Sequence, residues 1–188
     1  MVLLHCPTIL RCSFCSFSII VRSIFLHKLS DLKTSPFTMA DLKPTLRIPY
    51  KTVDGVDIPT DVYIPSPPPT SPCPVLIMIH GGAFMLGHAG MNNEDQIADC
   101  LQRGWIVLAI EHRLCPGVNI LEGPITDVRD ALAWVQNGGL KEGSKRGELQ
   151  GVAEADSERV MVMGTSSGGH LALCTVCIAI VSGVTCEL

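Results

Sequence analysis

Aromatic residues are scarce in this chain: five Phe, two Tyr and two Trp among 188 residues. So few rings, scattered along the sequence, leave no platform on which nucleobases could stack. Charge is scarce as well, at 17% of residues, and the balance is −4. Without an excess of Lys and Arg there is no basic footprint for a phosphate backbone, so nucleic acid is excluded as a partner. Apolar residues are not scarce. At 47% they allow a sizeable core and argue against disorder, and the length makes one domain the default.

A regular cysteine framework is also missing, although nine cysteines are present. Cys6, Cys12 and Cys15 lie near the start, Cys73, Cys100 and Cys115 are dispersed, and Cys174, Cys177 and Cys186 lie near the end. CSFC and CTVC share C-x-x-C spacing, but they are far apart and CTVC sits in an apolar run. The reading is therefore buried free thiols, with no metal site. A reducing compartment, the cytoplasm, fits this usage better than a secreted disulfide scaffold.

The two ends differ from the middle. Residues 1–38 carry three Cys and six Ser, with Arg11, Arg22, Lys28 and Lys33 opposed only by Asp31. They read as a leader without stable structure, with translation expected to start in earnest at Met39; a mitochondrial leader is the alternative. The longest charge-free run there, Cys12 to Val21, is too short to span a bilayer. From Val160 to Cys186 there is no Asp, Glu, Lys or Arg. That is long enough to span, but its first part holds Gly164-Thr165-Ser166-Ser167-Gly168-Gly169-His170, a poor hydrocarbon segment, so a membrane role is not the expectation.

The middle reads as alternating elements. Leu46 to Tyr50 and Val56 to Ile64 flank Asp54-Gly55, a hairpin signal. The proline-rich stretch Ser66 to Pro72 is a stiff surface loop. Val75 to Ile79, Trp105 to Ile110 and Val160 to Met163 are continuous apolar runs, as in strands buried on both faces. Helical spacing covers Glu94 to Gln102 and Asp127 to Gln136. Lys141 to Glu158 is polar and reads as a solvated loop. Strand and helix alternate from residue 75, which predicts an α/β fold whose N-terminal hairpin leads into a mostly parallel sheet flanked by helices.

Two motifs carry chemistry. Strand, Gly-x-Ser-x-Gly, helix at residues 159–170 is the context in which a serine sits on a strained turn above a sheet, exposed for nucleophilic attack. His80-Gly81-Gly82-Ala83-Phe84 follows a buried strand directly. Small consecutive residues let backbone N–H groups approach a developing oxyanion, and each such donor contributes about 3 kcal/mol. Gly82, Ala83 and Ser167 are the expected donors, with His80 and Gly81 supporting the loop.

With these motifs in place, the chain resembles the α/β-hydrolase superfamily, on the esterase/lipase side related to hormone-sensitive lipase, with some likeness to acylaminoacyl-peptidase-type proteins. The resemblance covers about residues 46–173. Glu111-His112-Arg113-Leu114-Cys115-Pro116 is similar to the family's Asp-Tyr-Arg-Leu-Ala-Pro segment, and Asp127 to Trp134 to its following helix. Positions 112 and 115 depart from the commoner Tyr and Ala. The resemblance implies Ser166 as nucleophile, an oxyanion hole of Gly82, Ala83 and Ser167, hydrolysis of small-molecule carboxylic esters, and no cofactor.

The family's acid and histidine follow two strands beyond the serine turn, and residues 169–188 supply neither. No triad histidine or acid is therefore assigned. His80 is expected to orient its loop, His170 to point into the fold, and Asp127 and Asp130 to serve as first-turn helix acids or partners of Arg113. The expectation is a truncated hydrolase domain over 39–188, poorly soluble and nearly inactive by itself. A peptidase or amide hydrolase of the same superfamily, or a non-catalytic binding module, are the alternatives. Oligomeric state is not legible.

Overall fold

The hairpin forms where the sequence places it. Strands β1 (Leu46–Val53) and β2 (Val56–Tyr63) pair antiparallel, and the turn residues Asp54 and Gly55 both take positive φ, 51° and 78°. That pair of values suits a two-residue turn whose twist matches the strands it joins. The computed structural model describes residues 42–141 and 153–181, with side chains through Thr175. The expected leader, residues 1–38, lies outside them. Asp41 to Val176 form one compact unit, which holds the sheet and both motifs.

Three further strands complete the sheet: β3 (Cys73–Ile79), β4 (Ile106–Ile110) and β5 (Ala155–Gly164). Their order is β1-β2-β4-β3-β5, with β4, β3 and β5 mutually parallel and β2 of the hairpin antiparallel to β4. Helix α1 (Glu94–Gln102) connects β3 to β4, α2 (Thr126–Gln136) lies between β4 and β5, and α3 (Ser167–Val181) follows β5. The α/β architecture expected from strand–helix alternation is the one observed.

Alternation along β3 shows why its sequence is apolar throughout. Val75, Ile77 and Ile79 join a core with Val128, Ala131 and Val135 of α2 and Leu171 of α3. Leu76 and Met78 point the other way, into a second core with Ile97 of α1. Both faces are covered, so no polar position is tolerated between Val75 and Ile79. Asn93 caps α1, its side chain accepting from Gln96 N at 3.0 Å, and Glu94 and Asp95 sit in the positive first turn. The proline-rich segment from Ser66 to Pro72 is mostly exposed, as its composition suggests.

Two expectations need correction. Residues 155–158 belong to β5 rather than to a solvated loop. Cys73 N donates to Glu154 O at 2.6 Å and Arg159 reaches Pro72 O at 2.8 Å, so pairing with β3 extends past the apolar run. Nor is β5 buried on both faces: its residues are half-buried or exposed, because among the described residues it pairs with β3 alone. Among the described residues, no helix is long and apolar enough to cross a membrane.

Candidate active site

The two sequence motifs leave the sheet side by side. Ile79 and Gly164 pair at the ends of the parallel strands β3 and β5, and Thr165 N donates to Ile79 O at 3.3 Å. His80 to Phe84 therefore continues from one strand next to where Thr165 to Ser167 continues from the other. A Cβ on Gly81 would lie 3.3 Å from Ser166 Cβ and 3.0 Å from Thr165 O. The loop expected to carry the oxyanion donors thus passes directly against the serine.

The serine turn is tight and strained. Ser166 adopts φ 53°, a left-handed backbone that costs a non-glycine residue about 1 kcal/mol or more. Gly168 N donates to Thr165 O at 2.9 Å, and Gly169 N to Ser166 O at 3.0 Å, closing the turn into the start of α3. The flanking glycines are there for space. A Cβ on Gly168 would sit 2.3 Å from Ile79 O, and one on Gly164 would sit 2.4 Å from the Gly168 carbonyl. Ser166 itself is exposed at the top of the turn.

The HGGAF loop is also held away from ordinary backbone geometry. Gly82, Ala83 and Phe84 have φ of 126°, 53° and 63°. Met85 N and Leu86 N both donate to Gly82 O, and Cys115 N donates to Phe84 O at 2.8 Å, tying the loop to the segment after β4. The N–H groups of Gly82, Ala83 and Ser167 make no hydrogen bond among the described residues.

Beneath the loop lies a buried polar layer. His80 Nδ1 is 2.8 Å from Gly81 O, and since a carbonyl only accepts, this nitrogen carries the hydrogen. The His80 ring stacks on His112 at 4.3 Å with 12° between planes, and His112 Nδ1 donates to Arg113 O at 3.1 Å. Burial pushes the His112 imidazole below its ordinary value, and neighbouring His80 pushes it further the same way. Glu111 accepts from Arg47 Nη2 at 2.8 Å and Ala89 N at 3.1 Å, and its other oxygen lies 3.9 Å from His80 Nε2.

A second polar group anchors the segment after β4. The Asp127 carboxylate is fully buried and accepts from Arg113 Nε, Nη2 and backbone N, and from Lys51 Nζ. Burial alone would raise its pKa; the bonds from Arg113 and Lys51 outweigh that and leave it below the usual carboxylate range. Asp127 is thus the partner of Arg113, as expected, while Asp130 pairs with Lys51.

Of the residues singled out in sequence, the fold brings together His80, Gly81, Gly82, Ala83, Ser166 and Ser167 around the ends of β3 and β5. His170 departs from expectation. It is exposed rather than pointing into the fold, with its ring edge-on to Phe84 at 5.8 Å, because it stands on the outer side of the first turn of α3. Among the described residues no imidazole hydrogen-bonds the Ser166 hydroxyl; the one histidine contact is backbone, His170 N donating to Ser166 O at 3.3 Å. The Glu111 and His112 contacts to the loop were not foreseen. Their only signal was position at the end of a strand adjacent to β3.

The sequence model of BD-FAE, an α/β-hydrolase-fold esterase family, matches residues 60–181. The chain belongs to this family. The BD-FAE match runs from the second half of β2 to the end of α3, and with them both motif-bearing loops. The chain is also similar to a non-reducing polyketide synthase of Acremonium egyptiacum, 40% identical over 126 residues, covering 67% of this chain and 6% of that protein. Another, from Preussia isomera, is 42% identical over 129 residues, again 67% and 6%. The chain therefore spans about 6% of the length of these curated relatives. Among solved structures, a bacterial heroin esterase matches with TM-score 0.61 and 25% identity, covering 90% of this chain and 46% of that one. Esterase 2 of Thermogutta terrifontis matches with TM-score 0.58 and 23% identity over 71% and 46%, a likeness of fold.

Proposed function

We propose that this BD-FAE chain carries the nucleophile and oxyanion hole of a serine carboxylic-ester hydrolase. Ser166 Oγ attacks the acyl carbon, a C–O bond forms, and the alcohol leaves with a proton; water then releases the acid from the acyl-serine. Gly82, Ala83 and Ser167 donate their N–H groups to the oxyanion, and His80 and Gly81 hold the loop. One observation carries this reading: an exposed serine in a left-handed turn lies against a loop whose neighbouring amides are unengaged. The esterase family to which the chain belongs supports the choice of ester.

A serine without a partnered base is a weak nucleophile. The chain by itself is therefore expected to turn over p-nitrophenyl acetate feebly, while a fluorophosphonate probe captures Ser166 slowly and selectively. Peptide mapping should place the adduct on Ser166 and find none in Ser166→Ala. Capture at another residue, or equal capture in the variant, would remove Ser166 from the mechanism.

The likeness to two non-reducing polyketide synthases favours a second reading in which the acyl group arrives as a thioester within a larger synthase. The same attack then expels a thiol instead of an alcohol. Acyl N-acetylcysteamine thioesters compared with the matching ethyl esters test it. Faster acylation of Ser166 by the thioester, beyond the difference in intrinsic reactivity, supports this reading, and no such excess removes it.

A further inference from the structure

We infer that His112 is a positioning residue for the HGGAF loop: its ring, lying flat on His80, keeps the His80 Nδ1–H on the Gly81 carbonyl and so directs the amide of Gly82. The inference rests on the proposed role of Gly82 as an oxyanion donor.

One peptide group joins the Gly81 carbonyl to the Gly82 N–H. In a planar trans peptide the C=O and the following N–H point in opposite directions. Drawing the Gly81 carbonyl toward His80 therefore sends the Gly82 N–H away from it. His80 makes this one hydrogen bond, at 2.8 Å; its Nε2 is buried and has no partner among the described residues, with Glu111 Oε2 too far at 3.9 Å. A single bond does not fix an imidazole plane. Packing must do so, and the near-parallel face of His112, 4.3 Å away, supplies it.

His112 is itself well anchored. Its Nδ1 donates to Arg113 O at 3.1 Å, and Arg113 grips Asp127 through Nε at 3.0 Å and Nη2 at 2.8 Å. A continuous set of contacts thus runs from a buried carboxylate in α2, through Arg113 and His112, to the His80 ring and the Gly81 carbonyl. Burial disfavours the charged form of His112, which suits a ring stacked on another imidazole. His112 Nε2 is buried with no partner among the described residues, so it is the flat face of the ring, and not this nitrogen, that the packing on His80 uses.

The test uses the full chain with 15N-labelled histidine and three variants: His112→Ala, His112→Phe and His112→Gln. A loop displaced by a fraction of an ångström should slow fluorophosphonate capture of Ser166 about ten- to a hundredfold in His112→Ala, while His112→Phe, which keeps a flat ring, stays within about threefold. Imidazole 15N shifts should report His80 with its hydrogen on Nδ1 in the wild type and in His112→Phe, and a tautomer mixture in His112→Ala. If His112→Ala does not fold, His112→Gln, which lacks the ring but fills more space, takes its place. Unchanged His80 nitrogen shifts in a folded ringless variant overturn the inference, as does equal loss in the Phe and ringless variants. No capture in the wild-type chain would count against the Ser166 reading alone, and the His80 shifts would then decide the role of His112.

Discussion

Ile79 and Gly164 pair across the junction of β3 and β5, and both chemical loops leave the sheet from that pair. In parallel strands the chain exits in the same direction from each, so two segments separated by some 80 positions of sequence arrive at the same level without further guidance. The pair also sets the space available to the serine turn, because the Ile79 carbonyl faces the start of α3.

Gly168→Ala tests that spacing. The added Cβ would meet Ile79 O at 2.3 Å and His80 O at 2.6 Å, both backbone atoms that cannot rotate away. We expect a loss of about 1–3 kcal/mol, as for other overpacked sites. Fluorophosphonate capture at Ser166 should fall with it. A thermal melt unchanged from wild type would show that the turn yields more easily than its geometry implies.

Ser166→Gly should act in the opposite sense on stability. The φ of 53° strains serine and suits glycine. Relief of about 1 kcal/mol should raise Tm by about 2–4 °C, while covalent capture disappears. A lower Tm would mean that the serine side chain contributes contacts which outweigh the backbone strain.

Removing Asp127 should be costly at neutral pH. It is fully buried and holds Arg113 and Lys51, so Asp127→Ala is expected to lose about 3 kcal/mol in urea denaturation. Its pKa is depressed in the fold, so its stabilisation is present above the ordinary value near 3.8 and lost as pH falls through the lower folded value. Acid unfolding of Asp127→Asn should lack this component. A wild-type acid limb that survives the substitution intact would assign the component elsewhere.

His112 predicts a second pH dependence, of different origin. Burial lowers its folded pKa below the ordinary 6.5. The unfolded chain then binds a proton that the folded chain refuses, so stability is complete above about pH 6.5 and declines as pH falls toward the folded value. His112→Phe should flatten the slope of unfolding free energy between about pH 5 and 7. An identical slope in both proteins would exclude His112 as its source.

Local chemistry wrote much of this fold into the sequence. The apolar run from Val75 to Ile79 could only be a strand covered on both faces, Asp54-Gly55 could only turn tightly, and Gly164 and Gly168 around Ser166 announced a turn with no room for side chains. These are effects of neighbours along the chain, and a sequence displays neighbours. What tertiary structure decided depends on strands meeting out of sequence order. The order β1-β2-β4-β3-β5 places the end of β4 beside the end of β3, and this alone stacks His112 on His80 and brings Glu111 near both. The same order leaves β5 with one partner among the described residues, so an apolar run that promised a buried strand is only half-buried. The sequence by itself determined the types of the candidate site groups and the bends that expose them. Their mutual distances, and the buried layer beneath them, came from sheet topology, because contacts between separate strands leave no periodic trace along a single chain.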